Sequence, residues 1–304
     1  PTATSTPPPG GGGGEAAWNR TVEMLSDFHK RVEDKGECLL TISVLEAVDP
    51  ASAKEEFDTL YPINSLRNVA VRNAHSPLIM VVDADFAPSE GFHEFLTSDP
   101  VIYASLLHHA SASRRVWALV SLELHAGHLP IPSTRAEVAA LLPNRSVVVA
   151  EAYLNPAAHE PVDIDHWLRA DGFADGGGAP LTEDAAFEPF VLGAREALPD
   201  YDERFRGYGF DKTAHARHLR SLGFSYWLLP RHFAVARYHH PTPTAVRMFG
   251  EDPDMLLRTR MEWLFDQVSS DIDAEGGGYQ PLTAASTSRR GAAGAPPSGG
   301  EPGP

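Results

Sequence analysis

Apolar residues recur at helical spacing over residues 18–35, where Val22, Leu25, Phe28 and Val32 share a face. The run CLLTISVLEAV (38–48) is short and rich in β-formers, which predicts a strand. After Tyr61-Pro62, residues 63–74 place Ile63, Leu66, Val69 and Ala70 on one helical face, and Ser76-Pro77 stops the helix. LIMVV (78–82) is a continuous apolar run, the pattern of a strand buried on both faces of a sheet. It ends abruptly in Asp83-Ala84-Asp85. Residues 91–109 read as helix broken by Pro100, and VWALVSLEL (116–124) as a second strand. The segment 133–142 opens with a capping pattern, Ser133 or Thr134 followed by Glu137. VVVAEAY (147–153) predicts a third strand, DIDHWLRAD (163–171) a short helix, and residues 187–205 a strand leading into a polar turn region. KTAHARHLRSLG (212–223) reads as a helix closed by Gly223. FSYWLLP (224–230) and HFAVARY (232–238) predict two further strands, and residues 255–272 a long closing helix.

Strands alternating with helices in the first half predict an α/β sheet with parallel strands covered by helices. No internal repeat, GxGxxG fingerprint or GxxxxGK[ST] loop occurs, which removes the best support for dinucleotide oxidoreductases and P-loop enzymes. Both ends differ from the middle. Residues 1–17 contain the tract PTATSTPPPGGGGG, and residues 274–304 are rich in Gly, Pro, Ser and Ala. Such segments bury too little apolar surface to offset their ordering entropy, so both are expected to be disordered around one folded domain spanning 18–273.

The formal charge of −16, from 41 acidic and 25 basic residues, argues against nucleic acid as a partner, since phosphate backbones require clustered Lys and Arg. A small phosphate-bearing molecule held by a local cation remains compatible. The single Cys38 excludes an intramolecular disulfide framework and any multi-Cys metal site, and is expected to be a core thiol. No run approaches the ~18 apolar residues of a membrane span, so no membrane anchor is expected within this chain. No secretory signal is expected either, the chain opening on a low-complexity tract.

The sharpest chemical feature is Asp83-x-Asp85 at the end of an apolar strand. Ligands of open α/β sheets bind beyond the carboxyl ends of the strands. Two carboxylates there suit Mg²⁺ or Mn²⁺, which take oxygen ligands and share them with substrate phosphates. A cation so placed neutralises charge on a departing nucleoside diphosphate. Solvated turn carboxylates are the plainer reading. His239 and His240 follow the last strand and offer an imidazole to such a shell, or are loop residues. Asp211 follows Gly207 and Gly209 and is either a helix N-cap or a general base or acceptor contact. The same competition applies to Glu188. Arg67 and Asn68, on the helix before the Asp-x-Asp strand, reach toward a diphosphate or nucleotide, or form an exposed ion pair.

The segment YPINSLRNVAVRNAHSPLIMVVDADFAPSEGFHEFL (61–96) resembles the donor-binding core of glycosyltransferase family 49, which includes LARGE-type glucuronyltransferases and the β-1,4-glucuronyltransferase acting on the α-dystroglycan glycan. Tyr61, Pro62, Asn64, Leu66, Arg67, Asn68, Ala70, Asp83, Asp85, Phe86 and Pro88 carry the likeness. HEPVDIDHW (159–167), AFEPFVL (186–192), YDERFRGYGFDKTAH (201–215) and WLLPRHFAVARYHHPTP (227–243) are similar to later family segments in the same order, so the resemblance spans roughly residues 40–245. It implies a GT-A fold, a Rossmann-like mixed sheet with helices on both faces. It further implies Mn²⁺ (or Mg²⁺) on Asp83 and Asp85, a UDP-sugar donor contacted by Asn64, Arg67 and Asn68, a glycan or glycoprotein acceptor, and the Golgi lumen. The family's closing segment usually carries His-x-x-His. Here Ala236 takes the first position and His239 the second, which makes His239 the expected third metal ligand. Asp211 stands where the family pattern has Asn.

The expected function is therefore metal-dependent, inverting transfer of a sugar, glucuronic acid by resemblance, from a UDP-sugar to a glycan hydroxyl. Asp211 and Glu188 are the candidates for base or acceptor contact. The alternatives are transfer of another hexose such as N-acetylglucosamine, a catalytically degenerate glycan- or nucleotide-binding domain, and a metal-dependent phosphohydrolase, which the later segments do not support.

Overall fold

The computed structural model describes residues 12–36, 39–44, 61–152, 155–170, 178–182 and 186–283. Cys38 lies outside them. The chain divides into two units, Pro1–Val48 and Asp49–Pro304. In the first, helix α1 (Gly12–Glu33) carries the expected apolar spacing and begins inside the low-complexity stretch expected to be disordered. The predicted strand 38–48 is not found among its described residues. Residues 39–44 are irregular, with Leu39 83% exposed, and no described strand pairs with them.

The second unit is built on a sheet of seven strands: β1 (Leu78–Met80), β2 (Phe86–Pro88), β3 (Arg115–Leu124), β4 (Val147–Val149), β5 (Ala179–Pro180), β6 (Phe190–Ala194) and β7 (Ser225–Arg237). Five follow the order β1-β6-β3-β7-β2, while β4 pairs with β3 and β5 with β7. Among the described residues only the central pair, β3 with β7, is parallel, and every other pairing is antiparallel. The mixed sheet of the resemblance is present, and the expectation of a parallel sheet drawn from alternation is corrected. Alternation did not reveal that β6 inserts antiparallel between β1 and β3. LIMVV is accordingly a short edge strand, half-buried at Ile79 and Met80 rather than covered on both faces.

Strand β3 explains the layers. Its residues are buried almost without interruption, and the period of two sends them to opposite faces. Val116, Ala118, Val120, Leu122 and Leu124 pack with Val138, Trp167, Leu219 and Phe233. Trp117 and Leu119 face the other way, onto Leu106, Ala110 and Ala234. The two strands predicted around Pro230 are one. Register moves from Ala118↔Leu228 to Val120↔Phe233, and the extra residues bulge out with Arg231 at φ 67 before rejoining the same ladder.

Helices flank both faces: α2 (Ile63–Asn73), α3 (Phe92–Thr97), α4 (Pro100–Ala112), α5 (Arg135–Leu141), α6 (Ile164–Arg169), α7 (Asp211–Ser221), α8 (Pro243–Phe249) and α9 (Met255–Glu275). Pro100 starts α4 rather than kinking it, because Asp99 caps the amides of Val101 and Ile102. Thr134 and Glu137 form the expected capping box. The boundary expected at residue 273 moves outward. Helix α9 runs to Glu275, and Tyr279 beyond it is only 3% exposed, packed with Phe205, Met248 and Ile272.

Strands β1, β3 and β7 point the same way, so Asp83, Glu123 and His239 gather at one end of the sheet. Strand β2 starts at that end, with Phe86 opposite Ala236, which brings Asp85 beside the segment following β7.

Leu122 is fully buried where β3 meets β4 and β7. We predict that Leu122→Ala costs about 2–5 kcal/mol. Urea unfolding measures it, and a loss below about 1 kcal/mol contradicts the packing described.

Candidate functional site

The site grows from α2. The helix is pinned to the turn 201–203 by two side-chain amides. Asn64 Nδ2 donates to Asp202 O at 2.8 Å, and Asn68 Nδ2 donates to Tyr201 O and Glu203 Oε1, both at 2.9 Å. The Tyr201 amide donates back to Asn68 Oδ1 at 2.8 Å. Both Asn side chains are therefore sealed behind the site, with Asn64 at 0% and Asn68 at 1% exposure.

One turn along, Arg67 reaches the site and is itself buried. Its Nη1 binds Asp211 Oδ2 and Asn64 Oδ1, and its Nη2 lies 3.2 Å from Asp83 Oδ1. The guanidinium carbon stands 5.3 Å from the centre of the Tyr201 ring, which stacks on His215 at 3.8 Å. Burial works against the charged guanidinium, but Asp211, Tyr201 and Asp83 outweigh it and raise its pKa. Arg67 is thus a buried cation bracketed by two carboxylates, and the exposed helical ion pair does not occur. Asp211 is the first residue of α7, with Phe210 at the N-cap position, so the N-cap reading is corrected. Its carboxylate is committed to Arg67.

Lys212, which sequence reasoning alone misses, is the second cation. Its Nζ lies 3.2 Å from Asp83 Oδ2 and 3.8 Å from Glu188 Oε2. Burial opposes its charge, yet Asp83, Glu188 and Asp211 raise its pKa. The one signal for Lys212 in the sequence is adjacency to Asp211 inside an already conspicuous motif. For Asp83, burial alone would raise the carboxyl, but Lys212 and then Arg67 hold it below the usual range. Glu188, just before β6, accepts from Thr213 Oγ1 at 3.0 Å and faces Asn155 Nδ2 at 3.5 Å. Burial raises its pKa despite the opposing pull of Lys212.

Asp85 stands apart from this cluster, half-exposed, with Oδ2 3.3 Å from His239 Nε2. His239 Nδ1 lies 2.9 Å from the His240 carbonyl, which directs Nε2 toward Asp85. An outer carbonyl orienting one ring nitrogen while the other faces a carboxylate suits metal ligation. Among the described residues no three His, Cys, Asp or Glu side chains are gathered closely enough to hold an ion. Carboxylate oxygens and an imidazole are donor types that a hard divalent cation takes, but here Asp83 faces Arg67 and Lys212 while Asp85 faces His239. Ala236 is buried in the β2–β7 ladder and offers no ligand.

The pattern of the family described as "Glycosyl-transferase for dystroglycan" matches residues 19–243. Among curated proteins, the chain is 28% identical over 187 residues to glycosyltransferase-like protein gnt14 of Dictyostelium discoideum, covering 61% of this chain and 28% of that protein. It is 31% identical over 184 residues to xylosyl- and glucuronyltransferase LARGE2s of Gallus gallus, covering 60% and 23%. It is 30% identical over 222 residues to xylosyl- and glucuronyltransferase LARGE2 of Homo sapiens, covering 72% and 28%. The chain thus spans about a quarter of the length of these curated relatives.

Removing Arg67 leaves two carboxylates without their shared cation. We predict that Arg67→Met destabilises the fold by about 3–5 kcal/mol at neutral pH. Asp83 is held below its ordinary 3.8, so its contribution is present above that pH and lost as pH falls below it. The gap between wild type and variant should therefore narrow in acid. Urea unfolding at about pH 7 and about pH 3.5 tests this, and a gap that widens at the lower pH contradicts it.

Proposed function

We propose that this chain, which belongs to the family described as "Glycosyl-transferase for dystroglycan", moves a sugar from a UDP-sugar to a glycan hydroxyl with inversion, assisted by Mn²⁺ or Mg²⁺. The observation that carries this reading is the partly buried Arg67–Asp83–Lys212 cluster at the carboxyl end of β1. It sets two cations beside the Asp-x-Asp segment where a nucleotide diphosphate would lie. The sugar we put first is glucuronic acid, and xylose follows because the relatives are named for both. The compartment we propose is the Golgi lumen. No described helix is long and apolar enough to cross a membrane.

Asp83, Asp85 and His239 would hold the cation. When bound, it supplies charge neutralisation for the departing diphosphate. Arg67 and Lys212 turn their donors to the diphosphate and compensate Asp83. Asn64 and Asn68 act from behind, fixing the helix that aims Arg67. Asp211 keeps Arg67 extended and is not assigned proton transfer. Glu188 takes the proton from the acceptor hydroxyl as its oxygen bonds to the anomeric carbon and the bond from that carbon to the UDP oxygen breaks. A carboxyl raised by burial is a better base for that task than an ordinary one.

On this assignment the chain should hydrolyse or transfer from UDP-glucuronate or UDP-xylose in preference to UDP-N-acetylglucosamine. Mn²⁺ should strengthen UDP binding in calorimetric titration, and Asp83→Asn or Asp85→Asn should abolish that gain. Unchanged UDP affinity with and without Mn²⁺ in the wild type sinks the metal reading.

Glu188→Gln should lower kcat by about 10²–10⁴-fold. The acidic limb of the wild-type kcat profile should lie above pH 4.5, the ordinary value for Glu. The Thr213 hydrogen bond lowers the Glu188 pKa, so Thr213→Val should move that limb to higher pH. A limb that shifts to lower pH removes Glu188 from the role.

A further inference from the structure

The turn between α5 and β4 carries a triplet that none of these roles uses, Asn144-Arg145-Ser146. An Asn followed two residues later by Ser or Thr, with no proline between, is the acceptor pattern for N-linked oligosaccharides. The pattern alone is common in sequences. It becomes a site where the folded chain leaves the Asn accessible and its amide nitrogen unengaged, because the glycan is bulky and needs open surface.

The fold meets both conditions here. Asn144 and Arg145 are exposed, and Ser146 is half-buried. The Ser146 amide donates to Asn144 Oδ1 at 3.0 Å, which closes an Asx turn. Only the carbonyl oxygen of the side chain can accept there, so the other branch is the amino group, Nδ2. Nδ2 has no partner among the described residues. One end of the side chain is thus held by the backbone while the nucleophilic end is left to solvent. The turn itself is well fixed. The Arg145 amide donates to Leu142 O at 3.0 Å, and the Ser146 amide also reaches Leu141 O at 3.1 Å. Ser146 O accepts from the His125 amide at 2.8 Å, which ties the turn to the end of β3. Arg145 takes a left-handed φ of 58 as the chain passes from α5 toward β4. A second triplet, Asn19-Arg20-Thr21, differs in the feature that matters. It lies inside α1, where backbone amides serve the helical ladder rather than a side chain two residues earlier.

We propose that Asn144 is an N-glycosylation site. Its Nδ2 bonds to the anomeric carbon of an oligosaccharide as the bond from that carbon to a polyprenyl diphosphate breaks. The diphosphate leaves with the electron pair, and one Nδ2 proton passes to a base of the transferring enzyme. This rests on the secretory compartment proposed above, where such lipid-linked donors are consumed. No described hydrogen bond or ion pair joins Asn144 to Arg67, Asp83, Lys212 or Glu188, so the glycan can be removed without touching the cluster.

The whole chain is expressed in eukaryotic cells behind a secretory leader, with Asn19→Gln in every version so that a single acceptor is read. Peptide-N-glycosidase in heavy-oxygen water converts a glycosylated Asn to labelled aspartate, which peptide mass spectrometry locates. The label should fall on position 144, and the same treatment should remove one glycan from the intact mass. Asn144→Gln should lose both signals. Ser146→Ala keeps Asn144 and the backbone amide that closes the turn, yet should lose both as well, while Ser146→Thr should keep them. After deglycosylation, Ser146→Ala should unfold in urea with its parent, which separates a lost glycan from a lost fold. An unlabelled position 144 in the leader-directed chain overturns the site whatever the natural compartment, and so does a label that survives Ser146→Ala. The protein isolated from its own cells forms the second arm. A label at position 144 there supports both site and compartment. Its absence there, with the leader-directed chain labelled, overturns the secretory compartment and with it the modification in the cell.

Discussion

The guanidinium of Arg67 joins three parts of the chain that are distant in sequence. It reaches from α2 to the end of β1 at Asp83 and to the start of α7 at Asp211. A buried ion pair of this kind is weak as a source of stability, because both charges lose their water. Its value lies in the penalty for any arrangement that leaves one partner alone. Helix α2, the carboxyl end of β1 and the first turn of α7 must then adopt one mutual position. Lys212 extends the constraint by binding the other oxygen of Asp83 and approaching Glu188. Four segments meet in one alternating array of charge, and the chemistry proposed for the site uses that array.

What could be read from the sequence follows from this division of labour. The apolar run in residues 116–124 and the helical spacing in 63–74 are local consequences of burial on two faces or one, and both elements formed as expected. Which strands pair is not local. LIMVV looked like a central strand because its residues are apolar, yet its neighbour on one side is β6 and on the other nothing pairs with it among the described residues. The segment around Pro230 looked like a break because proline withholds a ladder donor, but a bulge absorbs the interruption. The same limit applies to the site. Asp83 and Asp85 were legible as a pair, but the structure gives them different company: Asp83 faces cations and Asp85 faces His239. The hydrogen bond from the Tyr208 hydroxyl to Glu151 Oε1 was not legible at all, since 57 residues separate the two and neither stands out in its own segment.

The last constraint lies outside the segment that matches the family, which ends at residue 243. Helix α9 and the residues after it return to the turn that holds α2. Tyr279 donates its hydroxyl to Asp202 Oδ2 at 2.5 Å and accepts from Arg204 Nη2 at 3.0 Å, and its ring meets His218 edge-on at 4.8 Å. The Glu203 amide donates to Leu282 O at 2.8 Å. Asp202 thus gives its carbonyl to Asn64 in front and its carboxylate to Tyr279 and Arg204 behind. Arg204 and Tyr279 hold that carboxyl below the usual range against the effect of burial. The helix that aims Arg67 is therefore braced by a turn that is itself clamped from beyond residue 275. The matched region holds the residues of the proposed chemistry, while part of the stiffness around them comes from sequence outside it.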